Sequence, residues 1–351
     1  MNETIRDMDK QIMELLSRRF GLYIDEMKKN RAETGQGFSV VERNDELDYI
    51  SGLNQGPLSK EFIRKIYNEL LSHARSLVEP PRVAFLGPAG TYAHIAMLEI
   101  FGESIHEVPV KTIHEVFTEV GMGRADLAVA PIENSTEGVV TDTLDELMEM
   151  ENKIVAEKYL RISHALVSVS DDIKKVKKLY SHPQALAQCK EWLRKNLPNV
   201  DIHQVSSTSL AAETASWDKL AAAISSEASA KIHNLNVLKT HIEDSKQNYT
   251  RFFVIGKREN PPTGNDKTSI VCAVKDRPGA LYSLLRPFNE HGINMTKIES
   301  RPDKKKMWEY NFFIDFIGHK DTTVVKTAME TMKEDLVFLK VLGSYPREAN
   351  S

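Results

Sequence analysis

Pro80-Pro81 constrains the fold of this chain more than any other pair of residues. Proline cannot supply a helical N–H, and it pushes the residue before it away from helix, so any helix upstream must stop here. Upstream, Ile5, Met8, Ile12, Leu15, Leu16, Leu22, Tyr23 and Met27 recur at three- and four-residue steps. That spacing predicts one apolar stripe on a long helix, ended by Gly35 and Gly37. A shorter helix is expected over 42–53, stopping at Gly56-Pro57. Ser59 is placed to cap a third, whose buried face is Phe62, Ile63, Ile66, Tyr67, Leu70, Leu71 and Leu77. Three helices with one stripe each enclose little core, so dimerisation through them is expected.

Downstream of the prolines, short apolar runs alternate with helical stretches. Strands are expected over 83–86, 127–131, 164–167, 178–181, 200–205, 221–224 and 252–255, and helices over 94–101, 113–122, 144–149, 185–196 and 210–217. This alternation predicts an α/β domain with largely parallel sheets, and ligands at the carboxyl ends of its strands. Pro261-Pro262-Thr263-Gly264-Asn265 reads as a linker. Beyond it the pattern is strand 268–274, a turn at Asp276-Arg277-Pro278-Gly279, helix 280–291, strands 295–300 and 310–316, helix 323–334 and strand 338–342. That order is the split β-α-β-β-α-β arrangement. The expected domains are 1–79, 82–260 and 267–346.

The 351 residues exceed one ordinary core, and a net charge of -4 with a pI near 6.3 gives no bias toward nucleic acid or anionic lipid. A small anionic substrate would therefore need local donors or cations. Cys189 and Cys272 lie far apart with no metal-like spacing, and two buried free thiols in a reducing compartment are expected. Residues 1–10 contain Glu3, Asp7 and Asp9 and no apolar run, which argues against a signal peptide. No stretch approaches the ~18 apolar residues of a membrane span. A cytoplasmic protein without membrane or nucleic-acid partners is the expectation.

Four short motifs sit at strand ends. Gly87-Pro88-Ala89-Gly90-Thr91-Tyr92 offers a glycine loop whose N–H groups could meet an anion, although these residues taken alone favour a plain tight turn. Pro131-Ile132-Glu133-Asn134-Ser135 puts polar side chains at a strand terminus, as a pocket floor or as a turn. Ser181-His182-Pro183-Gln184 ends another strand, with Gln188 one turn into the next helix. Ser207-Thr208-Ser209 could cap a helix. Thr250-Arg251-Phe252 places a hydroxyl beside a permanently charged guanidinium able to grip a carboxylate, although composition alone favours a surface arginine.

Taken as an ordered set, Gly-Pro-x-Gly-Thr-Tyr, Pro-Ile-Glu-Asn-Ser, Ser-His-Pro-Gln and Thr-Arg-Phe resemble the prephenate dehydratase family from Arg82 nearly to the end of the chain. The resemblance implies a catalytic domain of two α/β lobes, like a periplasmic binding protein, with the site between them. It implies loss of CO₂ and water from prephenate to give phenylpyruvate, with no cofactor and no metal. Thr250, Arg251, Phe252, Glu133 and Asn134 would be catalytic. Gly90, Thr91, Tyr92, Ser135, Ser181, Gln188, Ser207, Thr208 and Ser209 would bind substrate. In this reading Thr250 assists the departing hydroxyl and Arg251 holds a carboxylate; Glu133 is the rival acid. Arogenate in place of prephenate, and a non-catalytic amino-acid sensor, are the alternatives.

Gly279-Ala280-Leu281 and Glu299-Ser300-Arg301-Pro302 resemble the ligand motifs of the ACT regulatory domain, an α+β unit. The resemblance implies L-phenylalanine bound by Gly279, Ala280, Leu281, Asn294, Glu299, Ser300 and Arg301 in a homodimer or homotetramer. The all-α N-terminal domain is similar to chorismate mutase, with Arg19 and Glu46 at matching positions. Asn2, Asn30 and Asp45 stand where that family has cations, and Val78 where it has a glutamine. Each cation lost from a buried dianion site leaves a carboxylate incompletely paired. A mutase-like domain kept for dimerisation or stability is therefore expected, with Lys28, Lys29, Arg31 and Arg43 as possible substitutes; a fully bifunctional enzyme is the alternative.

Overall fold

The computed structural model describes residues 2–34, 39–275, 277–302 and 310–348. Gly35, Gly37 and Asp276 lie outside these, as do residues 303–309. The chain divides into two compact units, residues 1–83 with 98–107, and 84–97 with 108–351.

The first unit is built on α1 (Glu3–Thr34), α2 (Val40–Gly52) and α3 (Lys60–Ser76). Ser59 caps α3 by accepting from the Phe62 N–H, as its position before the apolar run predicts. Leu47, Ile63, Leu71 and Ala74 are its buried apolar centre. Residues 98–101 end a helix here, and its last carbonyls receive side-chain donors: Arg43 and Asn68 bond the Glu99 carbonyl, and Arg75 bonds that of Phe101. Such donors satisfy carbonyls that have no partner within the helix.

The second unit begins in β1 (Arg82–Leu86) and continues through α4 (Tyr92–Phe101), β2 (His106–Val110), α5 (Ile113–Gly121), β3 (Leu127–Asn134), β4 (Gly138–Val139), α6 (Thr141–Glu149) and β5 (Lys153–Arg161). The chain then builds a second lobe from β6 (Ala165–Ser168), β7 (Lys178–Ser181), α7 (Pro183–Gln188), α8 (Lys190–Asn196), β8 (Asp201–Gln204), α9 (Thr208–Ala215), β9 (Ala221–Ser225), α10 (Glu227–Ile232) and β10 (Asn236–Lys239). It returns through β11 (Tyr249–Gly256), which enters the first sheet between β3 and β5. The sheet orders are β2-β1-β3-β11-β5 and β10-β6-β9-β7-β8. This is the expected two-lobed α/β arrangement, with the second lobe inserted into the first.

The sheets are mixed rather than largely parallel. β7 is parallel to β8 and β9, but β11 is antiparallel to both its neighbours, and β6 is antiparallel to β9 and β10. β6, which opens the second lobe, and β11, which returns to the first, are the strands that run against their neighbours. The helix expected over 185–196 is two helices, broken at Cys189, whose backbone leaves helical geometry (φ -114°, ψ 17°). Cys189 and Cys272 are both free and buried.

The C-terminal part comprises β12 (Asp266–Val274), α11 (Ala280–Glu290), β13 (Met295–Pro302), β14 (Tyr310–Ile317), α12 (Thr323–Lys333) and β15 (Leu336–Pro346), in the expected β-α-β-β-α-β order. Its sheet, β13-β14-β12-β15, packs Ile270, Ile314 and Phe316 against Leu284 and Phe288 of α11 and Val325 and Met332 of α12. The opposite face contributes Val271, Phe313, Leu342 and Tyr345 to the core of the first lobe. Backbone approach there is close: a Cβ on Gly343 would lie 2.1 Å from the Ile154 carbonyl oxygen. Neither atom can swing aside, so Gly343→Ala is expected to destabilise this unit by at least the ~1–3 kcal/mol of ordinary overpacking, read as a lowered Tm.

Candidate active site

Antiparallel pairing sets Thr250 opposite Asn134 and Arg251 opposite Glu133. Side chains alternate along strands, so these two cross-strand pairs face opposite sides of the sheet.

On one side Asn134 donates from Nδ2 to Thr250 Oγ1 at 2.9 Å and to Asn248 Oδ1 at 2.8 Å. Its Oδ1 accepts from the Thr136 N–H at 2.9 Å, the Thr136 hydroxyl at 2.6 Å and the Glu137 N–H at 3.1 Å. Those three donors fix which way the amide points. Asn248 Nδ2 donates to Gln188 Oε1 at 3.0 Å, and Gln188 Nε2 donates to Thr136 Oγ1 at 3.4 Å. Asn134, Asn248, Gln188 and Thr136 thus form a closed ring in which every bond runs in one sense. Gln188 comes from the second lobe and Asn134 from the first.

The ring has a consequence for Thr250. Its oxygen accepts from Asn134, so its own hydroxyl hydrogen is left to donate elsewhere. His164 supports the same arrangement: burial depresses its pKa, holding the ring neutral. Its Nε2, 2.8 Å from the acceptor Gln188 Oε1, is then the protonated nitrogen and Nδ1 is an acceptor. The one Tyr92 hydroxyl hydrogen is shared between two acceptors, Nδ1 at 2.9 Å and the Ser163 carbonyl at 2.7 Å. Neither His164 nor Asn248 stood out in the sequence. Asn248 lies two residues before Thr250, and that proximity was the available signal.

The lobes also meet at the glycine loop. Ser226 Oγ donates to the Gly90 carbonyl at 3.1 Å, and Ser209 Oγ bonds the Ala89 carbonyl. Gly90 has φ +85°, and a Cβ there would lie 2.9 Å from Ser209 Oγ, so the position requires glycine on both counts. Thr91 Oγ1 bonds the Leu86 carbonyl at 3.0 Å, and Ser207 caps α9 through the Leu210 N–H at 3.0 Å. The Thr208 carbonyl accepts from Ser225 at 2.7 Å. Ser181 is fully buried on the Ile224 carbonyl at 2.8 Å, and Ser135 joins Gln247 and Tyr249. Phe252 is a core side chain.

Arg251 and Glu133 lie on the other side of the sheet. Arg251, only 4% exposed, bonds Glu157 Oε2 at 2.9 Å, Asp315 Oδ2 at 2.5 Å and the Tyr345 hydroxyl at 3.1 Å. Lys267 adds a second cation, 2.8 Å from Glu157. Burial alone would lower the Arg251 pKa, but Tyr345, Asp315 and Glu157 together hold it well above its ordinary value. Glu133 pairs with Lys297 at 2.7 Å. The structure therefore brings Thr250, Asn134, Gln188 and Tyr92 together through Asn248 and His164, and turns Arg251 and Glu133 toward the C-terminal sheet.

Of the C-terminal residues singled out, Gly279 starts α11 with φ +80°, Ala280 and Leu281 follow it, and the Asn294 carbonyl accepts from Ile317. Glu299, Ser300 and Arg301 lie on β13, and Arg301 reaches the Thr141 carbonyl at 2.8 Å and Asp145 at 3.3 Å on α6. In the first unit Arg19 is paired with Glu46, while Asp45 is exposed. Arg43 is held by Asn68, Arg31 by Glu79 and Lys29 by Glu33.

Three family models match in order along the chain: chorismate mutase type II over 1–79, prephenate dehydratase over 83–260 and ACT domain over 268–333. A bifunctional chorismate mutase/prephenate dehydratase of Aquifex aeolicus is 47% identical, covering 99% of this chain and 97% of its own. Its namesake in Pseudomonas aeruginosa is 40% identical over 98% of this chain and 96% of its own. Among solved structures, the prephenate dehydratase of Arthrobacter aurescens in complex with L-Phe aligns with TM-score 0.71 and 34% identity, over 76% of this chain and 90% of that one.

Proposed function

The chain belongs to the prephenate dehydratase family, and from that premise we propose that Thr250 is the group that assists the departing hydroxide. The ring carboxylate leaves as CO₂, its bonding electrons enter the diene, and the ring hydroxyl departs as the ring becomes aromatic. Aromatisation drives the reaction, so the protein's part is to orient the dianion and to stabilise charge on the leaving oxygen. The observation that carries this reading is the amide sense of Asn134, which occupies the Thr250 oxygen as acceptor and leaves its hydrogen to donate. A substrate carboxylate is assigned to the N–H groups that open α9, at Thr208-Ser209.

Purified protein given prephenate should release phenylpyruvate, followed by its ultraviolet absorbance. Absence of product would return the chain to the class of non-catalytic amino-acid sensors. Chorismate in a parallel tube tests a second reading, the bifunctional enzyme. One observation favours it: Arg19 Nη1 is buried with no hydrogen-bond partner among the described residues, beside Glu46. Conversion of chorismate above the uncatalysed rate, lost in Arg19→Ala, would establish that second activity. No conversion would leave the first unit a structural domain.

L-phenylalanine is proposed as the effector, bound through Gly279-Ala280-Leu281 and the Glu299-Ser300-Arg301 end of β13. The relative in complex with L-Phe supports this. Dimerisation is proposed through α1, where Ile5, Met8, Ile12, Leu15 and Leu22 are each about half exposed or more. Ile12→Glu should shift the mass by light scattering toward monomer, and an unchanged mass would move the interface elsewhere.

A further inference from the structure

Two charged pairs on the back of the catalytic sheet face two on the C-terminal sheet, with opposite signs aligned. Glu133 and Arg251 are cross-strand partners on β3 and β11. Lys297 and Asp315 are cross-strand partners on β13 and β14. Lys297 Nζ lies 2.7 Å from Glu133 Oε2, and Arg251 Nη1 lies 2.5 Å from Asp315 Oδ2. The residues next in each catalytic strand are Asn134 and Thr250, hydrogen-bonded on the reacting side.

We infer that Lys297 and Asp315 are positioning residues for the Thr250–Asn134 pair, and that this four-charge lock between the sheets is the route by which an amino acid bound to the C-terminal domain alters catalysis. The second half of the inference rests on the effector reading above.

The physical argument is one of register. Sliding one sheet across the other by a strand spacing, about 4.8 Å, would set Lys297 over Arg251 in one direction and Asp315 over Glu133 in the other. Like charges brought together repel, most strongly at the buried Arg251–Asp315 end, so the paired register is favoured over either slid one. A bound ligand must favour one state over another to have any effect. β13 carries both ends of such a link: Glu299-Ser300-Arg301 lies two residues beyond Lys297 on the same strand. A shift of β13 pulls on Glu133, and its backbone neighbour Asn134 donates to the Thr250 oxygen. Neither Lys297 nor Asp315 reaches the reacting side, so their effect on chemistry must pass through the strands.

The test uses the full chain, with Lys297→Met, Asp315→Asn and the conservative Lys297→Arg. Phenylalanine affinity is measured by calorimetry, inhibition by the prephenate assay, and strand mobility by amide hydrogen exchange without any amino acid added. Lys297→Met and Asp315→Asn should bind phenylalanine within about threefold of the parent, yet inhibition of about tenfold or more should fall below about twofold. Lys297→Arg should restore it. Exchange at residues 132–134 and 249–251 should quicken about tenfold in Lys297→Met. Undiminished inhibition in both charge-removing variants would overturn the signalling route. Unchanged exchange would overturn the lock itself. If the parent chain binds no phenylalanine, the effector reading fails and takes the signalling route with it, while the exchange result still decides whether the lock positions the strands.

Discussion

Thr250→Val should lower kcat on prephenate by about 10²–10³-fold, the usual effect of removing one donor to a developing oxyanion. KM should move by no more than about threefold, because the hydrogen bond strengthens only as hydroxide leaves. Valine preserves the branched shape of threonine, so packing at this 9%-exposed position is retained. It also removes the acceptor for one Asn134 N–H, which carries its own cost of about 1–3 kcal/mol in stability. Thr250→Ser separates the two effects: it keeps the hydroxyl, and should keep most of the turnover. Near-parental kcat in Thr250→Val would remove Thr250 from the chemistry altogether.

Arg251→Met should act on stability first. It leaves Glu157 and Asp315 buried, with Lys267 the remaining close cation on Glu157 and Ser269 on Asp315. Breaking a buried charge pair typically costs about 3–5 kcal/mol, which for a unit of this size lowers Tm by on the order of 10 °C. Activity should fall with the folded fraction, and KM of the surviving enzyme should change little. The opposite pattern, an intact Tm with KM raised many-fold, would show that the guanidinium grips a substrate carboxylate, as the bare motif suggests.

That contrast shows where sequence reading stops. Thr250 and Arg251 are adjacent in a strand, and strict alternation already forbids both from facing one cleft. The period-two rule held the answer, but choosing which of the two faces the substrate needs the neighbours. β5 escaped notice altogether: Lys153–Arg161 contains Glu157, whose side chain is fully buried, and a charge inside a strand reads as surface until Arg251 and Lys267 are seen around it. Missing β5 also hid the antiparallel entry of β11. The motif order, the Ser59 cap and the β-α-β-β-α-β unit depend on local chemistry and were legible. His164 was not, because a lone histidine among apolar residues carries no sign of the Tyr92 and Gln188 groups that flank it. The Lys297–Glu133 pair lies further out of reach, since it arises from how two sheets stack.

The late return of β11 bears on how the protein comes into being on the ribosome. Until residue 256 has emerged, β3 and β5 lack the strand that lies between them, and two inward edges remain open to wrong partners. The second lobe, by contrast, is a continuous stretch of chain and can form its sheet before then. Nascent chains arrested short of β11 should therefore hold a folded second lobe beside an unfinished first one, and should be the forms most in need of a chaperone.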